Sequence, residues 1–427
     1  MVKMKDSGIE WIGEIPEKWE VTPLYMCFTE RRNKNRLGKE KNLLSLSYGH
    51  IVQKNIEAKG GLLPESFTTY NIIEPGDIII RPTDLQNDKR SLRTGLSNEH
   101  GIITSAYIDL KPLKNVNSNY YHYLLHSYDI QKVFYNMGNG VRQGLNYSEF
   151  SKLRVLAPES IEQQQIANFL DRKTTEIDEL IDKINIEIDT LKQYQSSVIT
   201  QAVTKGLDPN VQMKDSGIEW IGEIPETWKT IKIKYLVDKL ERGTAPKYTE
   251  LYETQVVNQA TFSKGFFDKS NMRYSTIPAS QSRGLLQYQD VLVASTGGGV
   301  LGKVHYFTEH EEFVADSHVT IVRFIAQKLI PKFGYYYLST LYDVFNNVMA
   351  QGSTNQIELK RDTFANSFIP FPRIEEQRVI VDYLDQKVTQ IQKLINSKQQ
   401  QINQLTEYKN SLIFEYVTGK KQVKEAN

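Results

Sequence analysis

The chain has 427 residues, 40% of them hydrophobic, with 52 Lys and Arg against 51 Asp and Glu and a mean hydropathy of −0.46. That is material for two or three globular cores; no apolar run approaches the roughly 18 residues a membrane span needs, and the start Met1-Val2-Lys3-Met4-Lys5-Asp6 lacks the apolar stretch of a secretory signal. Cys27 stands alone, which excludes an internal disulfide and a cysteine metal cage and fits a reducing cytoplasm.

In chain order, the first element is an entry motif. Met4–Glu20 reads MKDSGIEWIGEIPEKWE, and Met213–Lys229 repeats it as MKDSGIEWIGEIPETWK; 15 of 17 positions are identical, at an offset of 209. A repeat this long makes the unit a half-chain and dictates architecture. A block of mixed α+β character follows each copy. Glu74-Pro75-Gly76-Asp77-Ile78-Ile79-Ile80 is a turn feeding a buried strand, with Gln289-Asp290-Val291-Leu292-Val293-Ala294 as its counterpart. Aromatic helices are expected over Asn119–Tyr135 and Lys332–Val348, then glycine-bearing loops at Met137–Asn146 and Ala350–Glu358, then closing strands at Leu153–Pro158 and Phe368–Pro372.

Each block ends in a long helix. Glu162–Thr204 contains no Pro or Gly, and Ile166, Leu170, Ile177, Ile181, Ile184, Ile188, Leu191 and Val198 recur at spacings of mostly three and four, a heptad seam. Glu376–Thr418 repeats it at an offset of 214, with Lys398 where the first copy has Ile184 and Lys409 where it has Gln195. At 1.5 Å per residue, about 43 residues make a rod of roughly 65 Å. Two rods with matching seams most simply pair antiparallel; the alternative is that each packs on its own domain. Gly206 and Gly419 stand where helix stops are expected.

Charge follows the same division. Val21–Ala157 holds 18 Lys/Arg against 12 Asp/Glu, Trp228–Phe371 holds 16 against 13, and Pro158–Gln212 holds 5 against 10. The diverging blocks are the basic parts, which suits a polyanion and equally an ordinary surface.

Catalytic motifs are missing. No Asn/Asp-Pro-Pro-Tyr/Phe of an adenine methyltransferase occurs, and Gly297-Gly298-Gly299-Val300-Leu301-Gly302-Lys303 leads into Val304, not the hydroxyl residue a P-loop requires. His50, His100, His122, His126, His305, His310 and His318 are scattered; His122 and His126 lie one turn apart in an aromatic setting that favours packing over a metal pair.

The doubled SGIEWIGEIPE..W, the strands after Asp77 and Asp290, and the doubled EQ..I...LD..K opening of each rod, closing in Y..S......VT, resemble the specificity (S) subunits of Type I restriction-modification systems, across essentially the whole chain and in family order. The resemblance implies two target recognition domains joined by two long helices in an antiparallel coiled coil, an α+β fold with a pseudo-twofold repeat. Its divisions fall at 1–157 (first recognition domain), 158–212 (first conserved helix), 213–371 (second recognition domain) and 372–427 (second conserved helix). It implies a cytoplasmic, non-catalytic subunit that reads a bipartite target in double-stranded DNA. It also implies two methyltransferase (M) subunits, restriction (R) subunits and no membrane among its associations. S-adenosylmethionine, ATP and Mg would belong to those partners, with no cofactor or metal on this chain. The rival from another class is a coiled-coil adaptor that binds proteins.

Base readout in the major groove calls for Arg or Lys at guanine and Asn or Gln at adenine, and phosphate contacts call for cations, hydroxyls and backbone N–H groups. In the first block Arg81, Thr83, Gln86, Lys89, Arg90, Ser91 and Arg93 follow the Asp77 strand, and Asn139, Arg142, Gln143 and Asn146 lie on the glycine loop. In the second, the equivalents are Ser295, Thr296, Gly298 and Lys303, then Ser353, Thr354, Asn355 and Gln356. Arg31-Arg32-Asn33-Lys34-Asn35-Arg36 reads as a phosphate clamp or a solvated turn. The entry-motif Trp11, Trp19, Trp220 and Trp228 are expected to pack each domain onto the rods or onto an M subunit, since identical copies should not read different half-sites.

Overall fold

The computed structural model describes residues 3–57, 64–83, 85, 92–137, 144–250, 254–352 and 357–423. The fold is mixed α/β and divides into two units, Met1–Ile184 with Gln400–Asn427, and Asn185–Gln399. Four helices organise it: α1 Ser118–Ile130, α2 Ser160–Lys205, α3 Pro331–Ser339 and α4 Ile374–Val417.

In the first unit a four-stranded antiparallel sheet runs Phe28–Glu30, Ile108–Pro112, Ile78–Ile80, Thr94–Leu96 in spatial order. Side chains alternate across a strand. Ile78 and Ile80 therefore enter the main core against α1 and α2, while Ile79 joins a smaller cluster with Leu44, Ile73 and Ile103. The second unit repeats the order with Val237–Arg242, Val319–Phe324, Val291–Ala294 and Val304–Tyr306. Again Val291 and Val293 face one core, Leu292 and Ala294 the other. Burial on both faces explains why these strands read as unbroken apolar runs.

The two aspartates that open the central strands lock turns. The Asp77 carboxylate accepts the Glu74 N–H at 2.8 Å and pairs with Arg31. Asp290 accepts the Gln287 N–H at 2.7 Å and takes a two-pronged bond from Arg323, both prongs 2.7 Å. Burial raises the Asp77 pKa, against the pull of Arg31.

The doubled frame makes the same contacts in each unit. Gln163 of α2 is buried; its Oε1 accepts the Asn117 N–H at 3.0 Å and its Nε2 donates to the Pro158 carbonyl at 2.8 Å. Gln377 of α4 accepts the Ile330 N–H at 2.8 Å and donates to Pro372 at 2.9 Å and Lys328 at 3.3 Å. Asn117 and Ile330 are the N-cap residues of α1 and α3, so each long helix holds the start of its aromatic helix. One turn or more along, Asp171 accepts from Tyr123 Oη at 2.8 Å and Asn119 Nδ2 at 3.0 Å. Asp385 accepts from Tyr336 Oη at 2.5 Å and Lys332 Nζ at 2.7 Å. Trp19 and Trp228 are 2% and 1% exposed. Trp19 Nε1 donates to Glu162 at 2.8 Å, and Trp228 lies against Gly206. Thus both buried tryptophans pack on rod ends, as the sequence reading expects. Gly206 and Gly419 hold left-handed φ of +75° and +70°, which ends each rod just beyond the helix.

Within each unit the rods run in opposite directions. In the first, Phe169 lies 4.3 Å from Tyr416 between ring centres and Asp178 is bonded to Lys409. In the second, Glu187 pairs with Lys398, and a Cβ on Gly206 would lie 3.6 Å from Glu376.

Two expected boundaries differ. The first aromatic helix stops at Ile130; Lys132 takes a left-handed φ of 57°, and a 3₁₀ turn Val133–Asn136 follows. The second is interrupted at Thr340–Leu341, where Ser339 and Thr340 hydroxyls donate back to the Tyr336 and Tyr337 carbonyls and compete with the helix ladder, and helical turns resume over Tyr342–Val344 and Phe345–Met349.

Candidate nucleic-acid interface

In each unit the loop after the central strand meets the loop after the aromatic helix. In the first unit the Leu145 N–H donates to the Pro82 carbonyl at 3.0 Å. In the second, Gly297 N–H donates to Ile357 O at 3.0 Å and Leu359 N–H to Ser295 O at 2.8 Å. The described ends of the loops flagged from sequence are therefore hydrogen-bonded to each other, although 60 residues or more separate them in the chain.

Of the first-unit candidates, Arg81 and Thr83 are half-buried at the strand exit. Asn146 is exposed and caps the short helix Tyr147–Phe150: its Oδ1 accepts the Glu149 N–H at 3.0 Å in a reciprocal capping box. Gln86, Lys89, Arg90, Ser91, Asn139, Arg142 and Gln143 lie outside the described residues. Arg93 requires correction. It is fully buried, its guanidinium donates to the Thr83 carbonyl and lies 5.0 Å from the Tyr135 ring centre, and its N–H donates to Asp129 at 2.5 Å. A buried cation is retained only when paired; Arg93 is bonded to the Thr83 main chain inside the unit and is not exposed to a ligand. Burial raises the pKa of its neighbour Asp129, opposed by the Arg93 N–H bond.

In the second unit Ser295 is likewise a correction. It is fully buried, with its hydroxyl donating to Val293 O at 3.0 Å and bonded to Thr320. Thr296 is half-buried and lies at the centre of a polar group: its hydroxyl accepts from Gln259 Nε2 at 2.9 Å and bonds His318 Nδ1 at 2.7 Å. Gly298 is exposed in the turn beside it. Lys303 is half-buried, its ammonium 4.7 Å from the Tyr342 ring centre. Ser353, Thr354, Asn355 and Gln356 lie outside the described residues.

Three residues with no signal in the sequence complete the polar group and the loop ties of the second unit. Gln259 and His318 approach from separate loops, and Arg242 donates to Glu358 at 3.2 Å and to Leu359 O at 3.1 Å, tying the two loops together. No local motif marks them; strand pairing across the sheet brings them in. The Arg31–Arg36 patch is a structured turn: Arg31 is spent on Asp77, Asn35 is buried and donates to Glu40 O at 2.9 Å, and Lys34 donates to Thr69 O at 3.0 Å.

His122 and His126 sit on α1 in the first unit. Burial, then His126, lowers the His122 pKa to about 3, and burial lowers that of His126, which approaches Asn410 at 3.4 Å. Both are neutral packing residues at pH 7. Among the described residues no His, Cys, Asp and Glu group could hold a metal ion, and no helix is long and apolar enough to cross a membrane.

The family model for the type I restriction modification DNA specificity domain matches residues 98–190 and 225–404. The type I restriction enzyme MjaVIII specificity subunit of Methanocaldococcus jannaschii is 25% identical over 337 residues, covering 77% of this chain and 76% of that protein. A putative type I restriction enzyme MjaX specificity subunit of the same organism is 26% identical over 440 residues, covering 97% and 96%. Among solved structures, a chain from work on complex assembly and conformational transition of the type I R-M system superposes with a TM-score of 0.68 at 15% identity, covering 95% of this chain and 99% of that one, a likeness of fold. With its doubled frame and a family match over most of its length, this chain belongs to the type I restriction-modification specificity subunit family.

Proposed function

We propose that this chain is the non-catalytic, cytoplasmic DNA-recognition subunit of a type I restriction-modification complex. Residues 1–157 and 213–371 are the two target recognition domains, and each reads one half of a bipartite duplex site. Residues 158–212 and 372–427 pair as one antiparallel coiled coil that sets the gap between the halves. One observation carries the reading: matching frame contacts through Gln163 and Gln377, and through Asp171 and Asp385, recur in both units, while the polar side chains of the loops differ between the units. A constant frame under different polar loops suits two readers of two half-sites. The readers we assign are Arg81, Thr83 and Asn146 with the loop residues Gln86, Lys89, Arg90, Asn139, Arg142 and Gln143 in one domain. In the other they are Thr296, Gly298, Lys303, Ser353, Thr354, Asn355 and Gln356.

Docking of two methyltransferase subunits, with restriction subunits joining them, is supported by what the rods expose. Leu180 and Leu394 are matched positions and are 47% and 53% exposed; Tyr194 and Tyr408 are also matched and 53% and 57% exposed. Large apolar side chains kept in both copies and left in solvent mark an interaction surface, and their doubling suits two copies of one partner. S-adenosylmethionine, ATP and Mg would be bound by those subunits. The test is duplex binding by the complex reconstituted with its methyltransferase. Salt-dependent, sequence-selective binding is expected; assembly with no preference among duplex sequences would favour the protein-binding adaptor.

A further inference from the structure

The two rods carry an asymmetry that their repeat does not require. In the first unit Lys409 Nζ donates to Asp178 Oδ1 at 2.7 Å and Oδ2 at 2.6 Å. In the second, Lys398 Nζ lies 2.6 Å from Glu187 Oε2. Both lysines stand on seam positions of α4, and both acids stand on α2. At the 214 offset the matched residues are Gln195 and Ile184 for the lysines, and Gln392 and Gln401 for the acids.

Much of the polar frame is duplicated, whereas the Phe169–Tyr416 ring contact is not, its matched residues being Tyr383 and Ala202. Glu162 and Glu376, Gln163 and Gln377, Asp171 and Asp385, Val203 and Val417, and Thr204 and Thr418 are the same residue in both copies. Those contacts cannot distinguish a pairing of α2 with α4 from a pairing of α2 with the α2 of a second molecule, or α4 with another α4. The charged pairs can. Transposed through the offset, an α2–α2 pair sets Asp178 against Gln195 and Glu187 against Ile184. An α4–α4 pair sets Lys409 against Gln392 and Lys398 against Gln401. Neither forms an ion pair. In the α4–α4 case Lys398 also falls three residues from its own copy, about 4.5 Å along the axis, in the middle of the seam. Polar seam residues that are satisfied in one pairing and stranded in another specify partner choice.

We infer that Asp178–Lys409 and Glu187–Lys398 are the pairing-specificity residues of this chain: they direct α2 to α4 and reject a second copy of either helix. The consequence is functional. Two unlike recognition domains on nearly identical frames stay together, and assemblies carrying two copies of one domain are excluded.

The experiment uses the full chain with a protease site inserted after Pro209, in the exposed stretch 207–210. The protein is folded, nicked, dissociated in mild urea, returned to buffer, and its pairs counted by native mass spectrometry. Wild type should return almost only the mixed pair of N- and C-terminal fragments. Lys398→Ile with Lys409→Gln, which gives α4 the seam of α2, should shift the distribution on the order of tenfold toward like pairs. Asp178→Lys, Lys409→Asp, Glu187→Lys and Lys398→Glu together should restore the mixed pair. Asp178→Asn with Glu187→Gln leaves every seam residue in place and should also release like pairs, so the inference does not depend on the stability of the lysine variant. Like pairs in wild type, or exclusively mixed pairs in both charge-removed variants, would overturn it.

Discussion

Replacing Gln163 by Leu tests whether the buried glutamine is what fastens an aromatic helix to its rod. Gln163 satisfies the half-buried Asn117 N–H and the buried Pro158 carbonyl, and Gln377 satisfies the half-buried Ile330 N–H and the buried Pro372 carbonyl and also reaches the carbonyl of the exposed Lys328. Leu has similar volume and no polar atoms, so the substitution strands these groups without opening a large cavity. A stranded buried group costs about 1–3 kcal/mol, so Gln163→Leu should cost about 2–5 kcal/mol and Gln377→Leu somewhat more. The two amides report on themselves. Amide hydrogen exchange should accelerate at Asn117 in Gln163→Leu and at Ile330 in Gln377→Leu, by about 30-fold for a local loss of 2 kcal/mol, with the other unit's amide unchanged. Unaltered exchange at Asn117 in a folded Gln163→Leu protein would refute the reasoning.

Further outcomes follow from other sites. Gly419→Ala should lower thermal stability more than Gly206→Ala: both force a side chain into left-handed backbone at about 1–2 kcal/mol, but a Cβ on Gly419 overlaps Pro16, whereas on Gly206 it sits 3.3 Å from Trp228. Burial, opposed by the Asn71 hydrogen bond, raises the Asp109 pKa from 3.8 to about 7. The folded state therefore holds that proton more tightly than the unfolded one, and stability is lost as pH rises from about 4 to about 7. Asp109→Asn should then stabilise the protein by about 2–4 kcal/mol at pH 8 and hardly at pH 4, read from urea midpoints at both pH values. Lys303→Ala should weaken duplex binding by the complex about equally on target and random DNA and reduce the salt slope by about 1 if Lys303 meets a phosphate; a loss confined to target DNA would make it a base reader.

The rods, the entry motif and the central strands were legible because each is written in periodicity or in duplication. Ile166 to Val198 keep a seam that only a helix satisfies, and Ile78–Ile80 form a run that only a doubly covered strand explains. The roles of single polar residues were not. Arg93 and Arg81 look alike in sequence, and strand alternation with a turn decides that the Arg93 side chain points inward to the Thr83 carbonyl and the Tyr135 ring. Ser295 and Thr296 are adjacent hydroxyls, one buried against Thr320 and one set between Gln259 and His318. Those partners arrive from positions 22 to 37 residues away, beyond the reach of any local pattern. The break at Lys132 was hidden for another reason: nothing in an aromatic helical stretch announces a left-handed residue that is not glycine.

The claim that two independent readers share one frame is tested most directly by exchanging residues 21–157 for the same region of a relative and sequencing the methylated adenines in the host genome. The account predicts that one half of the bipartite motif changes while the other half and the gap stay the same. A change in both halves, or in neither, would contradict it.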